Sequence, residues 1–360
     1  MATESQLQIV PGTTWTAINT GLHIQAHGVG FLEVDGVFYL IGEDKTNGTF
    51  FQQINAYSSG DLVRWKLEGP LLTVSKDNKE GDLDARRIVE RPKVIYNEQM
   101  ATYVMYVHID NEDYTDARVG VATCKTVTGT YEYRGSFRPL GYESRDIGLF
   151  QDDDGAAYLL TEDVYSYASS MSGPWSPWKE FADVGSNTCE SQSSAIVPLN
   201  QETALYWGDR WCPSNLAQST YVFLPLEKRG HEIYMQNRGS WVLDTATKSW
   251  EEMPPGTVAP SQGREKDFSC HLRSSTAGLT TLRIRYRNPS AKSQQVAVEV
   301  NGKRQTVDFL PTGARKQGVQ EEGESVLHCA LVSGDNSVVI QDAKTGLEIL
   351  GVGFVNLARS

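Results

Sequence analysis

Three carboxylates stand at the ends of apolar runs: Glu43 in IGEDK, Glu90 in VERPK and Asp146 in SRDIG. His27 in QAHGVG and Gln192 in SQSSAI hold comparable places. Carboxylates that converge in a pocket raise one another's pKa and bind sugar hydroxyls. Breaking a glycosidic bond uses two such groups. One protonates the leaving oxygen and the other acts as nucleophile or activates water. A structural alternative stays open for each acid: Glu90 could pair with Arg91 or Arg87, and Asp146 with Arg145. The run Asp152–Asp154 reads as a solvated acidic hairpin, with a metal site as the weaker alternative, because consecutive aspartates on a tight turn rarely all face one ion.

These residues open four similar stretches. His27 begins HGVGFLEV-DG-VFYLIGED, and Glu90 begins ERPKVIY-NEQMA-TYVMYVH. Asp146 begins DIGLFQ-DDDG-AAYLLTED, and Gln192 begins QSSAIVPL-NQET-ALYWGDRW. Each is a β-hairpin by pattern: a polar residue at the mouth, an apolar strand, a turn and an aromatic-rich strand back. The first three are followed by a second strand pair. It runs from a small-residue strand (Ala56, Ala122, Ala168) through a polar turn to an aromatic (Trp65, Tyr131, Trp175). A four-stranded unit repeated around an axis predicts an all-β chain with a β-propeller. In that fold His27, Glu90, Asp146 and Gln192 converge on a central pocket. The competing reading is four unrelated polar residues at strand ends.

The propeller is expected over residues 7–252. The stretch 59–65 is compatible with one helical turn, and the charged stretch 75–87 with an exposed loop. SWVLDTATKSW (240–250) is a last strand pair closing the ring. MPPGTVAPSQG supplies a linker at 253–263. Over 264–360 alternating strands with NG, GDN and KTG turns predict a C-terminal β-sandwich.

The chain has 360 residues and a formal net charge of -12. That charge argues against a nucleic-acid partner, which needs a basic face, and suits a neutral ligand such as a sugar. No window has the apolar length of a membrane span. The start, MATESQLQIV, has no secretory pattern, so the sequence reads as intracellular as it stands and as secreted if a signal was removed. Five cysteines lie scattered without metal spacing and read as buried thiols. There is no GxSxG, HExxH or P-loop, and GVGF at 28–31 and 351–354 is followed by no helix.

Several stretches together resemble glycoside hydrolase family 43, in particular its exo-β-1,3-galactanase group. They are QAHGVG, IGEDK, VERPKVIYN, YVMYVH with a following tyrosine, VGVATCKTVTGTYEYRGSFRPLG, SRD-x-x-x-FQDDD, SSMSGPWS and GDRW, in that order. The region after 263 resembles a family 35 carbohydrate-binding module more weakly. The resemblance implies a five-bladed propeller and an inverting hydrolase that removes galactose from β-1,3-galactan or arabinogalactan side chains. It implies no cofactor, with a structural calcium as the open alternative. Asp146 matches an aspartate that supports and orients the acid. Gln192 matches a glutamine that positions water, and Glu90 completes the expected catalytic set. Glu43 and Tyr114, like Glu90, match galactose-binding positions, and His27 and Asp209 join them as expected substrate contacts. Many family members carry an aspartate base where this chain has QAHG. The family's general acid lies in a hairpin opened by Glu-Ala-Pro, expected between Asp146 and Gln192. This chain lacks that hairpin, as if one blade's worth were left out near 163–165. The implied ring is then incomplete or four-bladed, and an impaired galactose-binding protein is the alternative function.

Overall fold

The structure is a computed structural model. It describes residues 7–75, 81–151, 157–161, 187–200, 202–229, 232–254, 257–260, 268–313, 322–341 and 346–354. The acidic turn Asp152–Asp154, the site of the expected gap at 163–165, Ala168, Trp175 and the SSMSGPWS stretch lie outside the described residues. The chain is nearly all β. It divides into two compact units: one of 1–24, 61–66 and 238–360, the other of 25–60 and 67–237.

In the first segment β1 is Gln8–Ile9. Then come β2 (His27–Val34), β3 (Val37–Glu43), β4 (Gln53–Ser59) and β5 (Lys66–Thr73), hydrogen-bonded in chain order. The next sheet repeats that order with β6 (Ile88–Asn97), β7 (Thr102–Asp110), β8 (Arg118–Cys124) and β9 (Glu132–Phe137). β10 (Ile147–Gln151) and β11 (Ala157–Thr161) pair antiparallel. After a one-turn helix, α1 (Asn187–Glu190), β12 (Gln192–Pro198), β13 (Thr203–Arg210), β14 (Thr220–Arg229) and β15 (Glu232–Met235) form a third four-stranded sheet in chain order.

Local chemistry explains these hairpins. Asp35 and Gly36, the two residues between β2 and β3, have φ of 51 and 75. That is the turn whose twist matches paired strands. Apolar residues of the first two sheets, among them Ile41, Ile54, Met105, Val107 and Ile109, then share one core. Leu83 is part of that core, so the charged stretch read as an exposed loop is anchored from beneath. Residues 59–65 form bends and β-strand ends rather than a helical turn. Two glycines allow close approach. A Cβ on Gly30 would lie 2.3 Å from the Pro92 carbonyl oxygen, and one on Gly42 would lie 2.2 Å from Ala26.

The other unit contains the hairpin β16 (Trp241–Asp244) and β17 (Ser249–Glu252), which pairs with β1. It continues with β18 (Thr257–Pro260), β19 (Phe268–Ser274), β20 (Gly278–Arg287), β21 (Gln294–Val300), β22 (Lys303–Phe309), β23 (Gly323–Leu331), β24 (Gly334–Ile340) and β25 (Glu348–Phe354). Two four-stranded sheets result, β18-β25-β20-β23 and β19-β24-β21-β22, and residues of both form one core around Tyr286, Val298, Phe309 and Val338. The proline-marked stretch 253–263 therefore is not free of structure. Its residues Thr257–Pro260 are β18, paired with β25. The alternation Thr-Val-Ala-Pro suits a sheet edge, where a proline costs no interior hydrogen bond.

The N-terminal segment belongs to this unit as well. The Thr14 backbone N–H donates to Glu324 and the Gln8 N–H to Thr281 Oγ1, while Asp308 accepts from the His23 N–H. Among the described residues no helix is long and apolar enough to cross a membrane.

Candidate functional site

The first strands of the four sheets in the second unit gather together: β2 lies against β6 and β12, and β6 against β10. Their leading residues share one construction. His27 pairs across the strands with Glu43, Glu90 with His108, and Gln192 with Asp209. The register shifts directly after His27 (before Gly30) and Glu90 (before Lys93), and one residue past Gln192, between Ser193 and Ala195. Bulges at such places re-aim side chains. In the first two, the residue after the leading one is left-handed: Gly28 with φ 59 and Arg91 with φ 53. A left-handed arginine before a proline is strained backbone, held only where surroundings over-determine it.

Carboxylates of neighbouring sheets hold those bulges. Asp209 Oδ2 accepts the Gly28 N–H at 3.0 Å, and Glu43 Oε1 accepts the Arg91 N–H at 2.8 Å. Only a glycine fits at 28, since a Cβ there would sit 2.1 Å from Glu43 Oε1. Asp209 Oδ1 also pairs with His27 Nδ1 at 3.0 Å, and its Oδ2 accepts from the Ser194 hydroxyl. Burial would raise the Asp209 pKa, but the His27 hydrogen bond, with Arg91 and Ser194, outweighs it and holds the carboxyl below the usual aspartate range. His27 is sealed from solvent with its ring between Trp211 and Tyr221, both centroids at 5.0 Å.

Glu90 has the richest surroundings. Its Oε1 accepts from Lys45 Nζ at 2.9 Å, and the Tyr114 hydroxyl lies 3.2 and 3.3 Å from its two oxygens. Lys45 also pairs with Glu43 at 2.8 Å. On the other side His108 Nδ1 lies 3.8 Å from Glu90 Oε2, while His108 Nε2 bonds Asp110 at 2.8 Å. Burial and then the Glu43 charge raise the Glu90 pKa, against the opposing pull of Lys45 and His108. Burial would lower the Lys45 pKa, but Glu43 and Glu90 reverse that and raise it. Tyr114 is raised by burial and by Glu90.

Asp146 precedes β10. Its Oδ2 accepts from Arg91 Nη2 at 3.1 Å and from Gln192 Nε2 at 3.0 Å. Gln192 Oε1 in turn accepts the Trp211 indole N–H at 2.7 Å, so both ends of the amide are fixed. Arg91 also donates to the Ser193 carbonyl at 2.6 Å.

Glu90, Asp146, Gln192 and Tyr114 are thus brought together and reach solvent, with Glu90 and Asp146 side chains 17% and 29% exposed. Glu43, His27 and Asp209 are buried around them. The ion-pair partners foreseen for the acids are replaced. Glu90 pairs with Lys45, Asp146 with Arg91, Arg87 with Asp116, and Arg145 with Glu143. The strand-to-strand bulge turns Arg91 away from its own neighbour Glu90 and across to Asp146. Sequence reasoning gave no role to Lys45, His108, Asp110 or Trp211. The available signal was a column: Glu43, His108 and Asp209 lie at or near the end of the second strand of a repeat, each opposite its leading residue. Among the described residues no group of His, Cys, Asp or Glu could hold a metal ion, and all five cysteines are free.

The model of the glycosyl hydrolases family 43 matches residues 30–180. An exo-β-1,3-galactanase from Phanerochaete chrysosporium, solved with galactose, is 28% identical with a TM-score of 0.67, over 96% of this chain and 99% of that one. A putative exo-β-1,3-galactanase from Bifidobacterium bifidum is 29% identical with a TM-score of 0.60, over 64% of this chain and 97% of that one. An exo-β-1,3-galactanase from Clostridium thermocellum, 21% identical with a TM-score of 0.62 over 96% and 99%, shares the fold. No curated protein matches the chain. The family match and these galactanase neighbours together make the chain a glycosidase.

Proposed function

We propose that this glycosidase binds the terminal galactose of a β-1,3-linked galactan, or of arabinogalactan side chains, and releases it with inversion. The observation that carries the reading is the joint hold on Asp146 by Arg91 and Gln192, beside a Glu90 clasped by Lys45 and Tyr114. The Phanerochaete enzyme, solved with galactose and as a variant with β-1,3-galactotriose, supports the choice of sugar. We read the sheets of the second unit, which lie within the 7–252 expected for the propeller, as its blades. The two C-terminal sheets are read as a β-sandwich over 264–360, with β18 of the intervening 253–263 drawn into it by pairing.

The residues have separable tasks in this reading. Glu90 accepts hydroxyls of the sugar, with Lys45 and Tyr114 fixing its oxygens. Gln192 has one N–H and one lone pair beyond its two fixed bonds, enough to hold a water against the anomeric carbon. Asp146 Oδ1 meets no partner among the described residues and faces the sugar or that water. His27, Glu43 and Asp209 act through the groups they hold. A sugar alkoxide leaves poorly unless it is protonated. None of these residues is spare for that task, and the hairpin that supplies the acid in the family has no counterpart in the sequence.

The reading therefore predicts a dependence on leaving group. General acid catalysis contributes about 10²–10⁴-fold. An aryl β-galactoside with an activated phenol should turn over at least about a hundredfold faster than β-1,3-galactobiose. Equal rates would mean that a proton donor is present and the assignment of roles is wrong.

A further inference from the structure

The unit made of 1–24, 61–66 and 238–360 contains a cavity of about 470 Å³ whose lining residues all belong to it. Small-molecule sites commonly run from about 300 to 1,000 Å³. Its walls come from the N-terminal stretch 15–24, from Val63 and Arg64, from 304–306 on β22 and from 326–328 on β23. These segments are far apart in sequence and none belongs to the galactose site described above.

The charge pattern of the lining is one-sided. It contains Arg64 and Arg304 and no aspartate or glutamate, in a chain of net charge -12. Arg64 is positioned by Asp61, which takes its Nε–H at 2.7 Å and the backbone N–H groups of Val63 and Arg64 at 3.0 and 2.8 Å. Those bonds use Asp61 and leave the two terminal nitrogens of Arg64 without a hydrogen-bond partner among the described residues. Arg304 gives one terminal nitrogen to Gln341 at 2.6 Å and keeps its others.

His328 adds an imidazole to the lining. Its Nδ1 lies 3.0 Å from Thr281 Oγ1, which already accepts the Gln8 N–H at 2.7 Å. Nε2 is then the ring nitrogen left to meet a ligand, as donor or acceptor according to the tautomer. Burial keeps the ring neutral by lowering its pKa to about 4. Trp15, Ile24, Val326 and Leu327 complete the lining with apolar surface. The lining itself holds no carboxylate, and Asp61 beside it takes only the Nε–H of the Arg64 guanidinium, so the free guanidinium nitrogens of Arg64 and Arg304 match an oxyanion and the apolar wall matches the body that carries it.

We propose that this cavity is a second binding site, for a sugar-sized polyol carrying one oxyanion group, either a carboxylate or a phosphate. Calorimetry on the full chain tests it with glucuronate, glucose 6-phosphate, neutral glucose and inorganic phosphate. One of the two anionic sugars should bind and glucose should not, and which one binds tells carboxylate from phosphate. Arg64→Gln and Arg304→Gln should each weaken that binding about tenfold or more while leaving galactose binding unchanged. Raised salt should weaken it further. The proposal is overturned if neither anionic sugar binds. It is equally overturned if binding persists in the doubly substituted chain, or if inorganic phosphate alone binds as tightly as the sugar.

Discussion

At the scale of single residues, Glu90 is where the account is most exposed to test. Asp110 is fixed by the backbone N–H groups of Asn111 and Asp116 and by His108, and those bonds outweigh burial to hold its pKa low. An ionised Asp110 keeps the hydrogen on His108 Nε2, so that Nδ1, buried without a hydrogen-bond partner among the described residues, turns toward Glu90. When the ring carries both hydrogens, its positive charge opposes protonation of Glu90. A carboxylate with a raised pKa is lost as an acceptor at a higher pH than usual, so galactose affinity should fall on acidification earlier than an ordinary glutamate would dictate. His108→Gln should move that acid limb to still higher pH, read by calorimetry from pH 4 to 8. A uniform loss of affinity with an unmoved midpoint would make His108 a packing residue only. The sequence made Glu90 legible because it opens a repeat. It left Lys45 and His108 unread, since their role depends on which strand ends meet, and no spacing in the chain states that.

At the scale of elements, the repeated bulge explains how distant strands aim at one place. Each of two second-strand carboxylates, Asp209 and Glu43, caps the bulge N–H of the neighbouring sheet. Asp209 does most, since it serves Gly28, His27 and Ser194 while fully buried. Asp209→Asn should cost about 3–5 kcal/mol of stability, the usual result of removing one partner of a buried pair. Its carboxyl is depressed in the folded chain, so its contribution is complete above the ordinary aspartate value of 3.8 and is lost as pH falls through the lower folded value. Denaturant unfolding at pH 7 and pH 3 checks both points. A cost below about 1 kcal/mol at pH 7 would show that the bulges hold without it. The hairpins themselves were readable from alternation and the DG and NG turns. The strand Thr257–Pro260 was not, because four residues marked by proline look like a linker until a partner strand is known.

At the scale of the whole molecule, the compact units do not follow one cut in the chain. The first two dozen residues join the unit that holds the C-terminal sheets, through Thr14, Gln8 and His23. Sequence patterning could not place that segment, since two-residue strands and isolated bridges carry no periodicity. Removing residues 1–24 should therefore lower the stability of the unit containing the C-terminal sheets by at least about 2 kcal/mol, from several lost hydrogen bonds of about 0.5–1.5 kcal/mol each. Calorimetric unfolding of the shortened chain reads this, and an unchanged transition would detach the segment from that unit. The central claim is that Glu90 and its neighbours hold a terminal galactose. Titration calorimetry with β-1,3-galactotriose tests it most directly, on the chain and on Glu90→Gln. The account predicts binding that the substitution weakens about tenfold to a hundredfold, the loss of a charged hydrogen bond. Absence of binding, or equal affinity in the two proteins, would contradict it.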